Sequence, residues 1–271
     1  MARLIGLCVA ITVLFILFGA IERFWPSVKG QKRFRPGWKT DVSWFFWDSF
    51  ANRPITLVGI ALLVGLVAVG VFQVEASREA ITAFVNRDSA VTRQPAFLQA
   101  LELFLLVDLT GYWSHRWFHR RPWLWKYHAV HHSSEELDWL SAVRVHPVNE
   151  LGQRAAQILP LFILGFRGDV LAGFTVLLTV LAIGLHANVG WNFGWFKYVI
   201  ASPRFHRWHH TSEEQGLDRN FSGLFPWMDW LFGTLYMPKD LEPRAFGITR
   251  VRVPTGLWNQ LLYPWRKRSA A

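Results

Sequence analysis

Residues 96–132 read AFLQALELFLLVDLTGYWSHRWFHRRPWLWKYHAVHH, and this stretch decides the fold that we expect. It follows Pro95, begins with an apolar run at 96–112, and continues into a segment rich in histidine, arginine and tryptophan. An apolar run of this length is typical of a membrane-spanning helix. The sequence therefore predicts a helix that leaves the membrane carrying histidines at its end.

The histidines are concentrated in two short segments. The chain has ten, and eight of them lie in a first histidine cluster at 115–132 and a second histidine cluster at 206–210. The members are His115, His119, His128, His131 and His132 in the first cluster, and His206, His209 and His210 in the second. Imidazole is the commonest metal-binding side chain, and spacings of three and four residues place side chains on one face of a helix. Each cluster can present several ring nitrogens to one point, so we interpret the chain as a metalloenzyme rather than as a protein with a solvated, pH-sensitive patch.

The composition is that of a membrane protein. Apolar residues make up 52% of the 271 residues and include 16 Trp and 22 Phe, more than an ordinary soluble surface accommodates. Bilayers take up apolar runs and draw tryptophan to their interfaces. The formal net charge of +10 is accompanied by no zinc-finger, helix-turn-helix or RNA-binding motif, and the basic residues flank apolar runs. We therefore expect the positive charge to contact anionic lipid headgroups and no nucleic acid.

Cysteine has no part in the expected metal chemistry. The single cysteine, Cys8, lies inside the first apolar run, which excludes a disulfide framework or a thiolate cluster within these residues. We interpret Cys8 as a small buried apolar residue. Any metal must then be held by histidine and carboxylate side chains.

Two further apolar segments precede the first cluster. The run 4–20 has only Arg3 before it and no convincing Ala-x-Ala site after it, so a retained helix is favoured over a cleaved signal peptide. The run 55–74 has no charged residue, and its 20 residues span about 30 Å of hydrocarbon as a helix. Both are predicted to cross the membrane.

A hairpin is predicted between the two histidine clusters. Residues 155–185 are too many for one crossing and are interrupted at 165–169 by glycines and charges, which indicates a turn. A hairpin of two helices returns the chain to the side that it left, so both clusters are predicted to lie on one membrane face. The expected fold is an all-α, polytopic integral membrane protein with four to five transmembrane or re-entrant helices and a helical cap that carries a histidine-rich di-metal site.

The loop charges predict the orientation. Segment 21–54 carries seven Lys or Arg, whereas segment 75–95 carries three Arg balanced by three acids. The positive-inside rule places 21–54, and with it both histidine clusters, in the cytoplasm. Roughly the last 80 residues lack a clean apolar span and are predicted to form a cap on the membrane surface. We expect the parts 1–95, with the N-terminal helices and basic loop, 96–240, with the catalytic site, and a basic, aromatic tail at 241–271.

Three residues outside the clusters are further site candidates. Asp108 lies seven residues before His115, on the same stripe of a helix. Because acids in membrane spans are costly and usually functional, Asp108 is predicted to be a metal ligand or an acceptor that orients an imidazole; a structural pair with an arginine is the alternative. His146, before Pro147, and His186, at the end of the hairpin, are candidate ligands, with an ordinary capping or core role as the alternative.

The number of histidines points to two metals. Eight to ten ring nitrogens exceed the needs of one ion, since zinc takes four ligands and a catalytic zinc takes three from the protein. No His-Glu-x-x-His segment is present, which removes the usual zinc protease helix. Imidazole suits iron, zinc, copper and nickel, and the membrane setting favours iron and dioxygen chemistry.

The arrangement His-x3-His, His-x2-His-His and a later His-x2-His-His around membrane spans resembles the fatty acid hydroxylase and sterol desaturase superfamily. The wider stretch from Asp108 to Leu235, about half of the chain, fits as well. Its motifs are Tyr112-Trp-Ser-His115-Arg, Arg144-Val-His146-Pro, His186-Ala-Asn188, Pro203-Arg-Phe-His206-Arg-Trp-His209-His210, Asp218-Arg-Asn220-Phe and Trp227-Met-Asp229-Trp-Leu-Phe-Gly233-Thr. Each histidine pair is weak evidence alone, but the combination is highly specific.

The resemblance implies a membrane-bound, non-haem di-iron oxygenase with its metal site in a cytosolic cap. By motif position, the implied ligands are His115, His119, His128, His131, His132, His206, His209 and His210, followed by His186 and then His146. Asp218 and Asn220 match the tail motif, and hydrogen bonds from them are expected to hold the second cluster in place. Their alternative role is turn formation after Gly216. Asn188, beside His186, is a further candidate supporting residue.

The implied reaction uses dioxygen and electrons from a separate donor to hydroxylate or desaturate a C–H bond of a membrane lipid. No Gly-x-Gly-x-x-Gly fingerprint follows a predicted strand, and no spare histidine pair is left for a fused cytochrome b5 domain. A reductase, ferredoxin or b5-like donor is therefore expected, steered by the basic surface. The substrate class, fatty acyl, sterol-like or other, stays open, as does the oligomeric state.

Two other functions are weighed against this one. A membrane zinc hydrolase would use one metal and no dioxygen and would leave several histidines idle. A metal transporter or sensor would usually carry polar ligands at mid-membrane, whereas here the second span has no ionisable residue and the histidines lie at or beyond helix ends. The oxygenase is favoured over both.

Overall fold

The computed structural model describes residues 1–191, 193–239, 241–249 and 251–266, and throughout these the chain is built from helices. Their bounds are α1 Ala2–Phe24, α2 Trp38–Trp47, α3 Arg53–Gly70, α4 Arg78–Val85, α5 Ala96–Arg120, α6 Pro122–His128, α7 Pro147–Leu164, α8 Gly168–His186, α9 Pro203–His209, α10 Pro226–Leu231 and α11 Leu257–Leu262. The described residues contain no β-sheet; one antiparallel bridge joins Thr211 to Phe246. The all-α class predicted from the sequence is confirmed.

Four helical segments are long and apolar enough to cross a membrane. They are Ala2–Phe24, Trp38–Gly70, Ala96–Arg120 and Gly168–His186. The second joins α2 to α3 through a π-helical turn at Asp48–Asn52. The predicted runs 4–20 and 96–112 lie within these segments, whereas the predicted run 55–74 extends four residues beyond the end of α3 at Gly70. Cys8, expected to be buried, is instead exposed on α1, whose single buried residue is Gly19.

The helix α5 extends beyond the predicted membrane span. Its 25 residues are about 37 Å long, whereas the hydrocarbon core is about 30 Å thick. The last turns of α5 carry His115 and His119 and can therefore emerge from the bilayer without a break in the helix. Arg121 then adopts an extended conformation before Pro122, which begins α6.

The hairpin between the histidine clusters is present. Helices α7 and α8 are joined at Gly165, whose φ of +95° is a left-handed conformation that glycine adopts without steric cost. The helix α7 begins at Pro147, earlier than the predicted start at 155. Only α8 of this pair is apolar enough to be a candidate span, because α7 carries a row of polar residues along one side. Ser89 on the preceding loop donates to the carbonyl of Gly165 and places that loop at the turn end, away from the histidines.

A buried ion network connects the segment after α1 to the residues that follow the first cluster. Arg35 donates to Asp41 (2.7 Å) and to Asp138 (2.6 Å), and Asp41 also pairs with Arg144. All four side chains are buried, so removal of one partner would leave an uncompensated charge. The network fixes the backbone at Arg144, which contacts the metal site described below.

The chain after α8 covers the histidine end of the helices. Its described residues form short helices, none of spanning length, as predicted. Trp44 of α2 donates from Nε1 to Oε1 of Gln260 at 2.6 Å, which attaches α11 to the helical framework. The division into 1–95, 96–240 and 241–271 stays a prediction.

Candidate metal centre

Nine of the ten histidines form two groups whose ring nitrogens could each hold a metal ion. Within each group the ligand atoms lie within 4.8 Å of one another. The first group consists of His115, His119, His128, His132 and His209, and the second group of His131, His186, His206 and His210. Each histidine cluster of the sequence therefore contributes to both groups, and the fold divides the residues differently from their order along the chain.

Four parts of the chain carry the ligands: the ends of the long helices α5 and α8, the short helix α6 with the turn after it, and the short helix α9. His115 and His119 lie one turn apart on α5, and His186 is the last residue of α8. The helix α6 ends at His128, and a single 3₁₀ turn at His131–Ser133 follows. The adjacent residues His131 and His132 enter different groups, as do the adjacent residues His209 and His210 at the end of α9.

The helix α9 begins with a well-formed N-terminus. The Ser202 hydroxyl accepts from the Phe205 N–H, and Pro203 occupies the first turn, where no N–H is needed. These signals fix the start of a short helix whose seven residues are all buried. His206 therefore faces the second group, while His209 reaches the first.

Four rings of the first group have Nδ1 bound to an oxygen acceptor. His115 Nδ1 donates to the Phe221 carbonyl (2.8 Å) and His209 Nδ1 donates to the Arg219 carbonyl (2.8 Å). The other two acceptors are the Asn149 side-chain oxygen for His128 and the Asp218 carboxylate for His119, each at 3.0 Å. A proton held on Nδ1 leaves the lone pair of Nε2 free for a metal.

The second group uses backbone acceptors. His131 Nδ1 donates to the Arg144 carbonyl at 3.2 Å, and His186 Nδ1 donates to the Ala182 carbonyl, one turn earlier on α8, at 2.7 Å. The Nε2 atoms then meet in sequence: His131 to His186 at 3.2 Å, His186 to His206 at 3.2 Å, and His206 to His210 at 3.1 Å.

The short contacts between Nε2 atoms fit a bound cation. A carbonyl oxygen only accepts hydrogen bonds, so His131 and His186 both carry their proton on Nδ1 and present bare Nε2 lone pairs to each other. Two such lone pairs repel unless a cation lies between them. In the first group, Nε2 of His119 and of His209 is buried without a hydrogen-bond partner, which is costly unless a metal completes the site. The donor set therefore fits metal ions in both groups.

Burial favours the neutral form of these ligands. It lowers the pKa of the cap histidines well below the ordinary value, and the neighbouring rings lower it further. The histidines in question are His128, His131, His132, His206, His209 and His210. Neutral imidazole is the metal-binding form.

The two groups are adjacent. His132 of the first group and His210 of the second stack with ring centroids 4.3 Å apart and an interplanar angle of 23°. Two metals bound in these groups would therefore belong to one centre rather than to separate sites.

Asp218 and Asn220 support the centre through a tight turn. Both have a positive φ, +55° and +57°, a conformation that Asp and Asn tolerate better than most residues. The turn exposes the Arg219 carbonyl to His209, while Asp218 accepts from His119. Asn220 donates to the Phe205 carbonyl at 2.9 Å, next to His206, and to the Tyr236 carbonyl at 2.9 Å. Asn220 thus contacts the helix of the second cluster, whereas Asp218 contacts His119 of the first cluster rather than the second cluster for which its hydrogen bond was predicted.

Asp108 differs from the sequence prediction. Its carboxylate accepts from the backbone N–H groups of Gly223, Leu224 and Phe225 at 2.7, 2.9 and 2.8 Å, and so orients a loop rather than an imidazole. Asp229 accepts from the preceding N–H groups of the same loop, those of Phe221 and Ser222. The two carboxylates thereby hold the loop whose Phe221 carbonyl accepts from His115. Asp108 therefore supports the metal centre indirectly, through this loop.

His146 and Asn188 do not join either group. Nδ1 of His146 accepts from the Val148 N–H and caps α7, while Nε2 donates to the Leu261 carbonyl at 3.1 Å. This capping role replaces the ligand role predicted for it. Asn188 forms two hydrogen bonds with the backbone of Val28, at 2.9 and 3.1 Å, and so ties the end of α8 to the segment after α1 instead of supporting a ring.

Sequence reasoning missed the residues that orient the rings. Asn149 could have been noticed in the sequence, because it is a polar residue on the first turn of α7 shortly after the first cluster. That it accepts from His128 is known only from the packing of α6 against α7. The carbonyl groups of Arg144, Ala182, Arg219 and Phe221 carry no side-chain signal at all. Trp125, which packs against His119 and His132 with centroid distances of 4.9 and 5.4 Å, is a further residue that spacing does not identify.

A cavity of about 250 Å³ adjoins both groups. Five of the residues that line it are histidines of the two groups: His115, His128, His131, His186 and His206. Its walls come from α5, α7, α8 and the junction of α2 with α3. The centre is thus accessible from a space between the membrane helices.

Comparison with known proteins gives one family. Residues 100–234 match the fatty acid hydroxylase family. The chain is 28% identical over 174 residues to the ornithine lipid hydroxylase OlsE of Rhizobium tropici, covering 64% of this chain and 52% of that protein. It is 30% identical over 155 residues to the alkylglycerol monooxygenase of Homo sapiens, covering 54% and 32%. It is 34% identical over 150 residues to the very-long-chain aldehyde decarbonylase GL1-8 of Oryza sativa subsp. indica, covering 50% and 51%.

The chain therefore spans about half the length of these relatives, or less. The matched segment contains the whole first histidine cluster, the hairpin and the second cluster. No solved structure matches this chain.

Proposed function

The chain belongs to the fatty acid hydroxylase superfamily, and from this premise we propose that it is a membrane-embedded di-iron oxygenase that hydroxylates or desaturates a C–H bond of a lipid. The observation that carries the proposal is the pair of all-imidazole groups beside one cavity between membrane helices. Relatives named as a lipid hydroxylase and an alkylglycerol monooxygenase support the reaction class.

The ligand set favours iron over zinc. Groups of five and four imidazoles offer more donors than a catalytic zinc, which takes three protein ligands and keeps one position open. Imidazole-rich sites with open positions suit iron. The proposed ligands are the nine histidines of the two groups, without His146. When bound, the two irons would supply the reductive activation of dioxygen and the oxidation of the C–H bond.

The chain's own residues prepare the site for that chemistry. Carbonyl and carboxylate acceptors hold each of six rings by Nδ1, so the Nε2 donors keep their positions. Burial of the rings excludes bulk water from the donor atoms. The cavity admits a lipid from between the helices, and its walls fix which carbon lies beside the histidines.

The electrons are proposed to come from a separate reductase, ferredoxin or b5-like protein. The exposed residues Arg120 and Arg121 follow His119 at the end of α5 and give a basic surface beside the first group. Opposite charge on a redox partner would steer it to this end of the molecule. By the positive-inside rule, this end is proposed to face the cytoplasm.

Metal analysis combined with an oxygen-dependence assay tests the proposal. The chain, purified in detergent, would be analysed for metals and then incubated with a total lipid extract, labelled dioxygen and an electron source. We expect two iron ions per chain and a lipid that gains one labelled oxygen atom or loses two hydrogens. The control is a variant with both His206→Ala and His209→Ala, one ligand from each group. One tightly held zinc with no oxygen uptake, in cells supplied with iron, would overturn the proposal.

A further inference from the structure

A second cavity lies beside α1, apart from the histidines. Its volume is about 270 Å³, and no residue lines both this cavity and the one beside the metal groups. Its lining comes from α1, from the segment between α1 and α2, from α2, and from the turn at 138–140. Thr12 and Phe34 of the lining are exposed, so the cavity opens to the surroundings of the helices. We call it the α1 groove.

The α1 groove extends along α1 into the membrane. Ile11 and Gly19 both line it, and their separation of eight residues, about 12 Å along a helix, approaches the roughly 15 Å of half the hydrocarbon core. The side chains along this part, such as Phe15 and Val42, are apolar. Gly19 is the single buried residue of α1, so the helix leaves space beside its neighbours. Water avoids an apolar space, and an empty one loses dispersion contacts, so a lipid tail is the favoured occupant.

A guanidinium group stands at the Gly19 end of the α1 groove. The exposed residue Arg33 lines the groove, donates to the Gly19 carbonyl at 3.1 Å and lies 5.2 Å from the centroid of the Phe15 ring. Within the described part of the chain it pairs with no carboxylate. Guanidinium binds phosphate through strong, charge-assisted hydrogen bonds. The phosphate of the lipid whose tail lies along α1 would therefore supply the partner that Arg33 lacks.

The two acids that line the α1 groove are already engaged. Glu22 accepts from the backbone N–H groups of Trp139 and Asn188 at 3.0 and 2.9 Å. Asp138 pairs with Arg35 at 2.6 Å and also accepts from N–H groups of its own turn. Neither acid forms an ion pair with Arg33, so a phosphate at Arg33 would not have to displace a carboxylate.

The segment around Arg33 has a surplus of positive charge. Residues 22–39 contain six Lys or Arg and one acid. Arg35 is buried in the ion network, but the other five basic side chains are exposed and form no ion pair with any described residue: Arg23, Lys29, Lys32, Arg33 and Lys39. Basic residues at a membrane surface attract anionic lipids over zwitterionic ones. The charge therefore favours an anionic headgroup.

Aromatic rings place Arg33 at the level of the headgroups. Phe34 stacks on Phe15 with ring centroids 5.6 Å apart and meets Trp38 at 5.0 Å. Tryptophan is enriched where the hydrocarbon core meets the headgroups, and Trp38 begins the second candidate span. A lipid with its phosphate at Arg33 and its tail toward Ile11 is thus aligned with the lipids of the bilayer.

The α1 groove is connected to the second metal group. Glu22, near the end of α1, accepts from the backbone N–H two residues after His186. Asp138 belongs to the buried ion network that holds Arg144, whose carbonyl accepts from His131. An occupant that fixes α1 against the turn at 138–140 therefore also steadies the supports of two ligands.

We propose that the α1 groove binds an anionic phospholipid of the bilayer, with its phosphate at Arg33 and one acyl chain along α1. The lipid is a structural ligand and not a substrate, because no histidine lines the groove. It holds α1 against the turn at 138–140 and so stabilises the second metal group. The site does not depend on the proposed oxygenase function.

Native mass spectrometry measures this lipid directly. The chain, purified in detergent, would be offered equal amounts of dioleoylphosphatidylglycerol and dioleoylphosphatidylethanolamine, and the lipid that stays bound after release of the detergent would be counted. We expect one phosphatidylglycerol to be retained in preference to phosphatidylethanolamine. In Arg33→Gln this preference should fall about fivefold, the contribution of one basic residue beside an anionic lipid.

Matched variants separate binding from folding. Arg33→Lys keeps the charge and should keep most of the preference, and Arg78→Gln makes the same loss of charge on α4 and should keep all of it. Thr12→Phe fills the groove and should lower the retention of both lipids, whereas Val13→Phe, one residue along α1 and outside the lining, should not. Equal retention of the two lipids by the wild type, or retention unchanged in Arg33→Gln and Thr12→Phe, would overturn the inference.

Stability and metal release test the structural role. Added phosphatidylglycerol should raise the unfolding temperature of the wild type and slow the loss of metal to a chelator, and phosphatidylethanolamine should do so less. Neither effect is expected in Thr12→Phe. Retention of phosphatidylglycerol with no change in the unfolding temperature or in metal release would show that the lipid does not support the second group, contrary to the inference.

Discussion

His131 and His186 face each other with their Nε2 atoms 3.2 Å apart, although each ring donates its Nδ1 proton to a backbone carbonyl. Neither ring can therefore donate to the other while both are neutral. The arrangement is stable when a cation accepts both lone pairs. This one contact, between the 3₁₀ turn after α6 and the end of α8, links the first cluster of the sequence to the hairpin.

Removal of one ligand should affect its own group first. In His209→Ala the first group loses a donor whose Nε2 is buried and otherwise unpartnered, and the iron content should fall from two ions per chain to one or fewer. His146→Ala is the matched control: it should keep both ions and lose about 1 kcal/mol of stability with the α7 cap. Metal analysis and thermal unfolding of both variants provide the test. Loss of iron in His146→Ala would restore the ligand role predicted from the sequence.

Asp108→Asn should disturb the first group, although Asp108 forms no hydrogen bond with the histidines of that group. The amide replaces a carboxylate that accepts three backbone N–H groups, so one or more buried donors lose their partner at a cost of about 1–3 kcal/mol. The unfolding temperature should fall, and iron should be retained less well because the Phe221 carbonyl moves. Glu102→Gln, on the same helix, is the control. An unchanged unfolding temperature in Asp108→Asn would contradict the loop-holding role.

Asp218→Asn should weaken metal binding through His119. The substituted amide can still accept a hydrogen bond but no longer carries the charge that favours the Nδ1 proton. Loss of such a partner typically reduces metal affinity about 10-fold to 100-fold. Titration with a chelator measures the effect, with Glu214→Gln, an exposed acid nearby in the sequence, as the control. Equal chelator resistance in the two variants would show that Asp218 does not act on the metal.

The metal-free protein should lose stability as the pH falls. Burial keeps the pKa of His128, His131 and the other cap histidines below the value of about 6.5 that they have in the unfolded chain. At pH 7 both states are neutral and the effect is absent; below about 6.5 only the unfolded chain takes up these protons. Stability should therefore fall by up to about 1.4 kcal/mol per pH unit for each such histidine.

The same effect can be isolated at a residue outside the metal groups. Burial lowers the pKa of His146 to about 4. Between about pH 6.5 and 4 the unfolded chain therefore takes up a proton at His146 that the folded chain does not, and the free energy of unfolding falls over this range. Thermal unfolding of the chelated protein at several pH values, with His146→Asn beside the wild type, measures it. The variant should have the shallower pH dependence, and identical slopes would contradict the assignment.

Charge reversal near the first group should slow reduction by a protein donor. Arg120→Glu with Arg121→Glu would repel an acidic ferredoxin, so the donor-dependent rate should fall and its salt dependence should weaken. The rate with a small chemical reductant should stay unchanged. Arg78→Glu, at the remote end of the molecule on α4, is the control. A rate that falls equally with both reductants would show that the two arginines are needed for the folded structure rather than for binding of the donor.

Much of the architecture is determined by local sequence. Hydropathy and length are enough to predict the spans. The glycines and charges at 165–169 are enough to predict the turn of the hairpin, because two helices joined by a turn depend on residues close together in the sequence. The hairpin in turn brings both histidine clusters to one end. The eight clustered histidines were recognisable because i, i+3 and i+4 spacings have a direct geometric meaning on a helix, and His186 because it lies at the end of the hairpin, on the side of the clusters.

The division of those histidines into two groups was decided only by tertiary structure. The adjacent residues His131 and His132 belong to different groups, and so do His209 and His210, because neighbouring side chains on a helical turn point in different directions and the packed helices place one group on each side. Asp108 has the sequence signature of a ligand, yet it holds a loop from residue 223 onward. His146 has a motif position like that of a ligand, yet the Leu261 carbonyl and the Val148 N–H take both of its nitrogens. Spacing determines which side of a helix a ring occupies, whereas the partner that it meets there depends on how the segments pack, in some cases segments more than a hundred residues apart, as for His115 and Phe221.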